Sequence, residues 1–273
     1  MERSRTLYTV KDSLIDIGAN LTDASFIQDI ESVINRAQEN NISHIIVTGT
    51  SVQETRRALD LVSKYPQYLS ATAGIHPHAV DATSTSWVED LTLLARDSRV
   101  VALGEMGLDY YRDYTSRRKQ QEVFEKQLEL ANEIELPVFI HDRDSGNDVL
   151  NSLRKYRPKF CVVHCFTGSE ELLDAYLAEG YYIGITGWVC DERRGQELSL
   201  LIRRIPLNRL MIETDSPYLI PRTIEPRPKN RRNEPAYLQY IAQKVAQCLD
   251  VSVEEVTSRT SENAMHFFSL KNL

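Results

Sequence analysis

The chain has 273 residues, 42% of them hydrophobic and 26% charged, with a formal net charge of −7. That composition is globular, and the length suits a single α/β barrel, which would bury roughly 70–75% of its unfolded surface without a disulfide or structural metal. The acidity argues against nucleic-acid binding over the whole surface, and no apolar run approaches the ~18 residues of a membrane span.

Residues 1–13 are polar and mixed in charge, unlike a secretory leader, so we expect a soluble, cytosolic protein. Short apolar runs then recur along the chain: Leu14–Ile17, His44–Thr48, Ser70–Ile75, Val100–Gly104, Pro137–His141, Phe160–His164, Tyr181–Thr186 and Arg209–Glu213. They lack strict alternation, as expected of parallel strands buried on both faces. The segments between them have helical spacing. Phe26, Ile30, Val33, Ile34 and Ala37 share a face, as do Val52, Thr55, Leu59 and Val62, and later Leu238, Ile241, Ala242 and Val245. Ser25 reads as a helix start, and Ser51 with Glu54 as a capping box.

Eight strand–helix alternations without a Gly-, Ser- or Pro-rich linker predict one (β/α)8 TIM barrel over residues 1–273. An open doubly wound sheet is disfavoured, because Asp16-Ile17-Gly18-Ala19-Asn20 carries no Gly-rich phosphate fingerprint. The four cysteines, Cys161, Cys165, Cys190 and Cys248, show no Cys-x-x-Cys spacing and read as reduced structural thiols.

In such a barrel the C-terminal strand ends converge on one mouth. Those ends read Asp16, Thr48, His76, Glu105, His141, His164, Thr186 and Asp215. One histidine alone would read as a partly buried core residue. Glu105, His141, His164 and Asp215 on one rim instead predict a mixed nitrogen and oxygen donor set for a divalent metal, better suited to Mn, Zn, Co or Fe than to Mg. His76 and His78, around Pro77, are open to substrate contact, metal ligation or a turn role. Arg112 is open to clamping a phosphate or to a surface salt bridge. Tyr110 and Tyr111 beside it are open to stacking on bases. Residues 222–232 carry five basic residues against Glu225, a balance of +4, and Arg231 and Arg232 lie at the loop's end. Following the last strand, this loop should overhang the mouth and favour phosphate.

These motifs resemble the TatD family of metal-dependent deoxyribonucleases. The resemblance is carried by Gly74-Ile75-His76-Pro77-His78, Gly104-Glu105-Met106-Gly107-Leu108-Asp109-Tyr110, Val138-Phe139-Ile140-His141, His164-Cys165-Phe166-Thr167-Gly168, Glu213-Thr214-Asp215-Ser216-Pro217-Tyr218 and Arg232-Asn233-Glu234-Pro235, in order over nearly the whole chain. It implies an amidohydrolase-like TIM barrel and hydrolysis of phosphodiesters as a 3′-to-5′ exonuclease preferring single-stranded DNA, with RNA as a further substrate. It implies a divalent cation, Mg, Mn or Zn, with Glu105, His141 and His164 on ligand positions and Asp215 on a ligand and catalytic position. Substrate contacts then fall to His76, His78, Arg112, Arg231 and Arg232, with single-stranded DNA or RNA as the partner and no membrane or obligate protein partner.

One departure stands out. Most of the family begin with a His-x-His pair, where this chain has Gly18 and Asn20, so the usual donors of one of two metal subsites are missing. The Asp-Ile-Gly-x-Asn-Leu start and the stretch from Gly187 to Gly195 look like the subgroup nearest TatD itself, which makes the loss the mark of a branch. Two rival readings use the same rim. One is an ester or amide hydrolase such as an aminoacyl-tRNA deacylase. The other is a non-catalytic nucleic-acid-binding barrel.

Overall fold

The structure, a computed structural model, describes residues 13–193 and 195–270. Residues 1–12, Arg194 and residues 271–273, which the single-domain expectation and one quoted motif include, lie outside the described residues.

The eight apolar runs form eight strands: β1 Leu14–Ala19, β2 Ile42–Val47, β3 Leu69–Ala73, β4 Val100–Asp109, β5 Val138–Arg143, β6 Cys161–Val163, β7 Tyr182–Ile185 and β8 Leu210–Ile212. They pair in parallel in chain order from β1 to β8. The segment after β8 closes the ring onto β1, where Asp215 N–H donates to the Gly18 carbonyl at 2.8 Å and Asn20 N–H to the Ser216 carbonyl at 2.7 Å. The helices are α1 Ile30–Glu39, α2 Val52–Lys64, α3 Trp87–Ala95, α4 Arg117–Ile134, α5 Asp148–Tyr156, α6 Glu170–Ala178, α7 Gln196–Leu201, α8 Leu238–Leu249 and α9 Val253–Phe267. This is the predicted TIM barrel. No helix among the described residues is long and apolar enough to cross a membrane.

The core has two layers. Apolar helix faces pack on the outside of the barrel, with Val33 and Ile34 of α1 and Leu238, Ile241 and Val245 of α8 fully buried. Inside the barrel, Ile15, Ile17, Ile46, Ala102, Phe139, Val162, Tyr182 and Met211 fill the lumen. Phe267 and Phe268, at the end of α9, pack against that cluster. Filled with side chains in this way, the lumen leaves its mouth as the place for a site.

Local signals behaved unevenly. Ser51 Oγ accepts from Glu54 N–H at 3.1 Å and caps α2 as expected. Ser25 does not start a helix. Asp23 caps a short 3-10 turn over Ala24–Phe26, accepting from Ser25 N–H, and α1 begins only at Ile30. An Asp side chain two residues upstream closes a local turn that competes with helix initiation at Ser25. The four cysteines are free thiols.

Candidate active site

β4 runs five residues past Gly104, the end expected from the apolar run, so Glu105 sits inside a strand. Its register against β5 shifts between Leu103 and Met106, on either side of Glu105. An irregularity of this kind re-aims a side chain that regular pleating would direct elsewhere. Gly104 makes it sterically feasible: its φ is +142°, and a Cβ there would lie 2.2 Å from the Phe139 carbonyl oxygen.

The result is a carboxylate oxygen surrounded by imidazoles. Glu105 Oε1 lies 2.7 Å from His164 Nε2, 2.9 Å from His141 Nδ1 and 3.3 Å from His76 Nε2. Burial alone would raise the Glu105 carboxyl, but the neighbouring His164 and His76 hold it well below the carboxylate range. Burial pushes His76 down to about 4, whereas contacts with Glu105 hold His164 well above the ordinary imidazole value despite burial.

His76, Glu105 and His141 each offer a ligand atom, all within 4.8 Å of one another. His141 Nε2 is buried without a hydrogen-bond partner, its nearest carboxylate oxygen, Asp109 Oδ2, being 3.4 Å away. A buried imidazole nitrogen without a well-formed hydrogen bond is costly, and His76, Glu105 and His141 present mixed nitrogen and oxygen donors within reach of one cation. The donor set therefore fits a divalent metal. His76, first read as open between substrate contact, ligation and a turn role, lies among these donors and also caps the turn after β3, its Nδ1 accepting from His78 N–H at 3.1 Å.

His164 and Asp215 complete the expected rim. The His164 ring lies against Phe139 of the lumen at 4.7 Å between centroids. Asp215 has φ +52° and accepts from Asn20 Nδ2 at 2.9 Å through Oδ1. Burial raises its carboxyl to about 7, helped by the charges of Glu105 and Glu213 and opposed by His164. His78 Nε2 bonds to Asp109 Oδ2 at 2.7 Å, and its ring edge meets Tyr114.

A cavity of about 760 Å³ opens here, lined by His76, His78, Glu105, His141, His164 and Asp215 together with Arg112, Arg143, Trp188 and Tyr218. Asp16, Thr48 and Thr186, read as strand-end residues of the same rim, do not line it. Asp16 is fully buried and accepts from Thr214 N–H and Oγ1, tying β1 to the segment that carries Asp215.

The basic loop differs from expectation. Arg232 is turned inward, pairing with Asp29 Oδ2 and Glu234 Oε1, both at 2.7 Å. Its two terminal nitrogens are taken by Asp29, Glu234 and the Ser25 carbonyl, because Asp29 closes on it from the far end of the sequence. Arg222 pairs with Asp191 at 3.0 Å, while Arg231 remains exposed. No basic residue of 222–232 lines the cavity, whose arginines are Arg112 and Arg143.

Three residues with site roles were missed by sequence reasoning: Glu213, Asp109 and Arg143. Glu213 is fully buried; Cys165 N–H donates to its Oε1 at 2.6 Å and its Oε2 lies 3.4 Å from His164 Nδ1. It thus holds the far side of His164, as carboxylates commonly do behind metal-binding imidazoles. It occupies the place beside Gly18: a Cβ there would meet Glu213 Oε2 at 2.5 Å, and a Cβ on Gly184 would meet Oε1 at 2.7 Å. Glu213 therefore occupies the space that a side chain at position 18 would need. Two glycines in otherwise apolar strands were the available signal.

Comparison with known proteins agrees with this geometry. The profile of the family described as TatD related DNase matches residues 15–269. A relative from Erwinia tasmaniensis, named 3′-5′ ssDNA/RNA exonuclease TatD, is 44% identical over 259 residues, covering 94% of this chain and all of the relative. Among solved structures, a TatD family hydrolase from Entamoeba histolytica is 30% identical with a TM-score of 0.85, covering 94% of this chain and 98% of its own. The TatD homologue YJJV of Escherichia coli has a TM-score of 0.87 at 27% identity, covering 96% and 100%. A family match over almost the whole chain, with relatives matched along their full length, shows that this chain belongs to the TatD related DNase family.

Proposed function

We propose that the chain is a metal-dependent nuclease that removes nucleotides from the 3′ end of single-stranded DNA and RNA. The observation that carries this reading is Glu105 Oε1 facing His76, His141 and His164 at the mouth of the barrel. Relatives named as 3′-5′ ssDNA/RNA exonucleases at 44% identity support the substrate and direction.

Glu105, His76 and His141 would hold the cation, with His164 against the Glu105 carboxylate and Asp215 lining the same cavity. The mixed donors suit Mn or Zn better than Mg. When bound, a divalent cation supplies Lewis-acid chemistry, offsetting charge at the phosphoryl group and acidifying water. Asp215, its carboxyl raised to about 7 by burial, accepts the proton of the attacking water. Asn20 fixes the direction of that carboxylate. His78, oriented by Asp109, lies beside the donors and delivers a proton to the leaving 3′ oxygen. Arg112 faces the same cavity and binds a backbone phosphate, with exposed Arg231 adding charge further out.

The test is a substrate panel with added Mn: single strands labelled at the 3′ or the 5′ end, the matching duplex, and an aminoacyl ester on tRNA. Stepwise release from the 3′ end of the single strand is expected. Turnover of the ester alone would replace this reading with the deacylase one, and metal binding without any turnover would leave a binding barrel.

A further inference from the structure

Arg143 and Trp188 line the cavity without a part in the chemistry at Glu105, and Tyr111, outside the lining itself, flanks Arg143. Arg143 lies two residues past His141 on β5, so by the period of two it shares a face with that histidine. Its guanidinium carbon stands 4.6 Å from the Tyr111 ring centroid and 5.7 Å from that of Trp188. The arginine is half-buried, and among the described residues it forms no ion pair. The neighbouring Asp142 carboxylate is committed elsewhere, to Ser145 Oγ and the Tyr176 hydroxyl, both at 2.5 Å. An arginine packed against aromatic rings keeps the N–H edge of its guanidinium for an anion, which it can hold through paired donors.

The surrounding elements hold this group in place. Asp109 Oδ1 accepts from Tyr111 N–H at 3.1 Å and Arg112 N–H at 2.9 Å, while its Oδ2 bonds His78. One carboxylate thus links the loop bearing Tyr111 to a histidine of the catalytic cavity. On the other side, the backbone of Trp188 is pinned by Thr186 Oγ1 at the end of β7. Tyr111 is 60% exposed, so its ring stays accessible beside Arg143 and Arg112, whose guanidinium carbons lie 4.6 and 5.9 Å from its centroid.

We infer that Arg143, Tyr111 and Trp188 form the subsite for the nucleotide adjoining the scissile phosphate, an inference that rests on the nuclease reading. Arg143 takes the neighbouring phosphate through the edge of its guanidinium, and the aromatic rings take bases by their faces. Stacking on ring faces reads no base edge, and nothing in the group selects for or against a 2′-hydroxyl. The subsite therefore binds single strands without regard to sequence and accepts DNA and RNA alike. A duplex, whose bases are already stacked and paired, cannot use it.

The experiment uses the full chain and a ten-nucleotide thymidine strand, together with versions bearing one abasic position stepped back from the 3′ end. For the wild type, one abasic position near the 3′ end should raise KM by about tenfold, within the range aromatic–base stacking spans. In Tyr111→Ala, whose exposed ring is not needed for folding, KM on the intact strand should rise by about the same factor and that positional penalty should disappear. Arg143→Gln should flatten the salt dependence of binding by about 0.7 in log–log slope, the value for one phosphate on a single strand, and Arg143→Lys should restore it. A purely structural role would raise KM on intact and abasic strands alike and leave the slope unchanged, and either result overturns the subsite. A wild type that releases no nucleotides sinks the nuclease reading itself and is distinguished by failing before any variant is compared.

Discussion

Gly18→Ala should destabilise the protein through a carboxylate rather than through backbone strain. A Cβ at position 18 lies 2.5 Å from Glu213 Oε2 and 3.0 Å from Phe139 Cζ, both inside normal contact. Glu213 has little room to yield. Its other oxygen is held by Cys165 N–H at 2.6 Å and is itself 2.7 Å from the place a Cβ on Gly184 would take. Overpacking of this kind costs about 1–3 kcal/mol, and dislodging Glu213 from Cys165 N–H would add a similar amount. We expect a loss of roughly 3 kcal/mol, or about 6–12 °C in Tm for a domain of this size. Glu213→Ala opens the space, so the double variant Gly18→Ala/Glu213→Ala should be more stable than the two single losses predict, by about 1–3 kcal/mol. The assay is thermal and urea unfolding of all four proteins. Additive losses, agreeing within ~0.5 kcal/mol, would refute the claim that Glu213 occupies the space a side chain at position 18 would need.

The other predictions concern charge. Arg232→Ala removes one of two guanidinium partners of buried Glu234, Arg36 keeping the other at 2.7 Å, and should cost stability, by about 1–3 kcal/mol, with little change in the salt dependence of strand binding, while Arg231→Ala should do the reverse; urea midpoints and salt titrations separate them. Burial pushes His44 down to about 4, so the unfolded chain binds a proton there that the folded chain refuses. Stability from this group is therefore full above about pH 6.5 and is lost as pH falls towards 4, amounting to about 3 kcal/mol at ~1.4 kcal/mol per unit. His44→Gln should flatten that acid limb in urea unfolding at stepped pH, and an unchanged limb would remove His44 from the account. Asn20→Ala should lower kcat more than KM if Asn20 directs the Asp215 carboxylate, and a change confined to KM would contradict that role.

Much of the barrel was legible because strands buried on both faces leave uninterrupted Val, Ile and Ala runs, as in Val138-Phe139-Ile140 and Cys161-Val162-Val163. The histidines were visible for the same reason, each following such a run. What stayed hidden depended on distant partners or on space. Arg232 looked like a surface cation because Asp29 lies 203 residues away. Glu105 looked like a residue beyond its strand because a local register shift, not hydropathy, keeps β4 going. Glu213 read as part of a motif without a task, since its place is defined by what Gly18 and Gly184 lack. Arg143 gave no signal at all, because stacking between Tyr111 and Trp188 joins loops after β4 and β7.

The central claim is that a cation held around Glu105 is required for nucleotide release. Its most direct test is to strip the protein with chelator, titrate Mn back, and follow bound metal and release from a single strand together. The account predicts no release from the stripped protein, recovery in step with bound metal, and loss of both in Glu105→Ala. Full release from the stripped protein, or from Glu105→Ala, would contradict it.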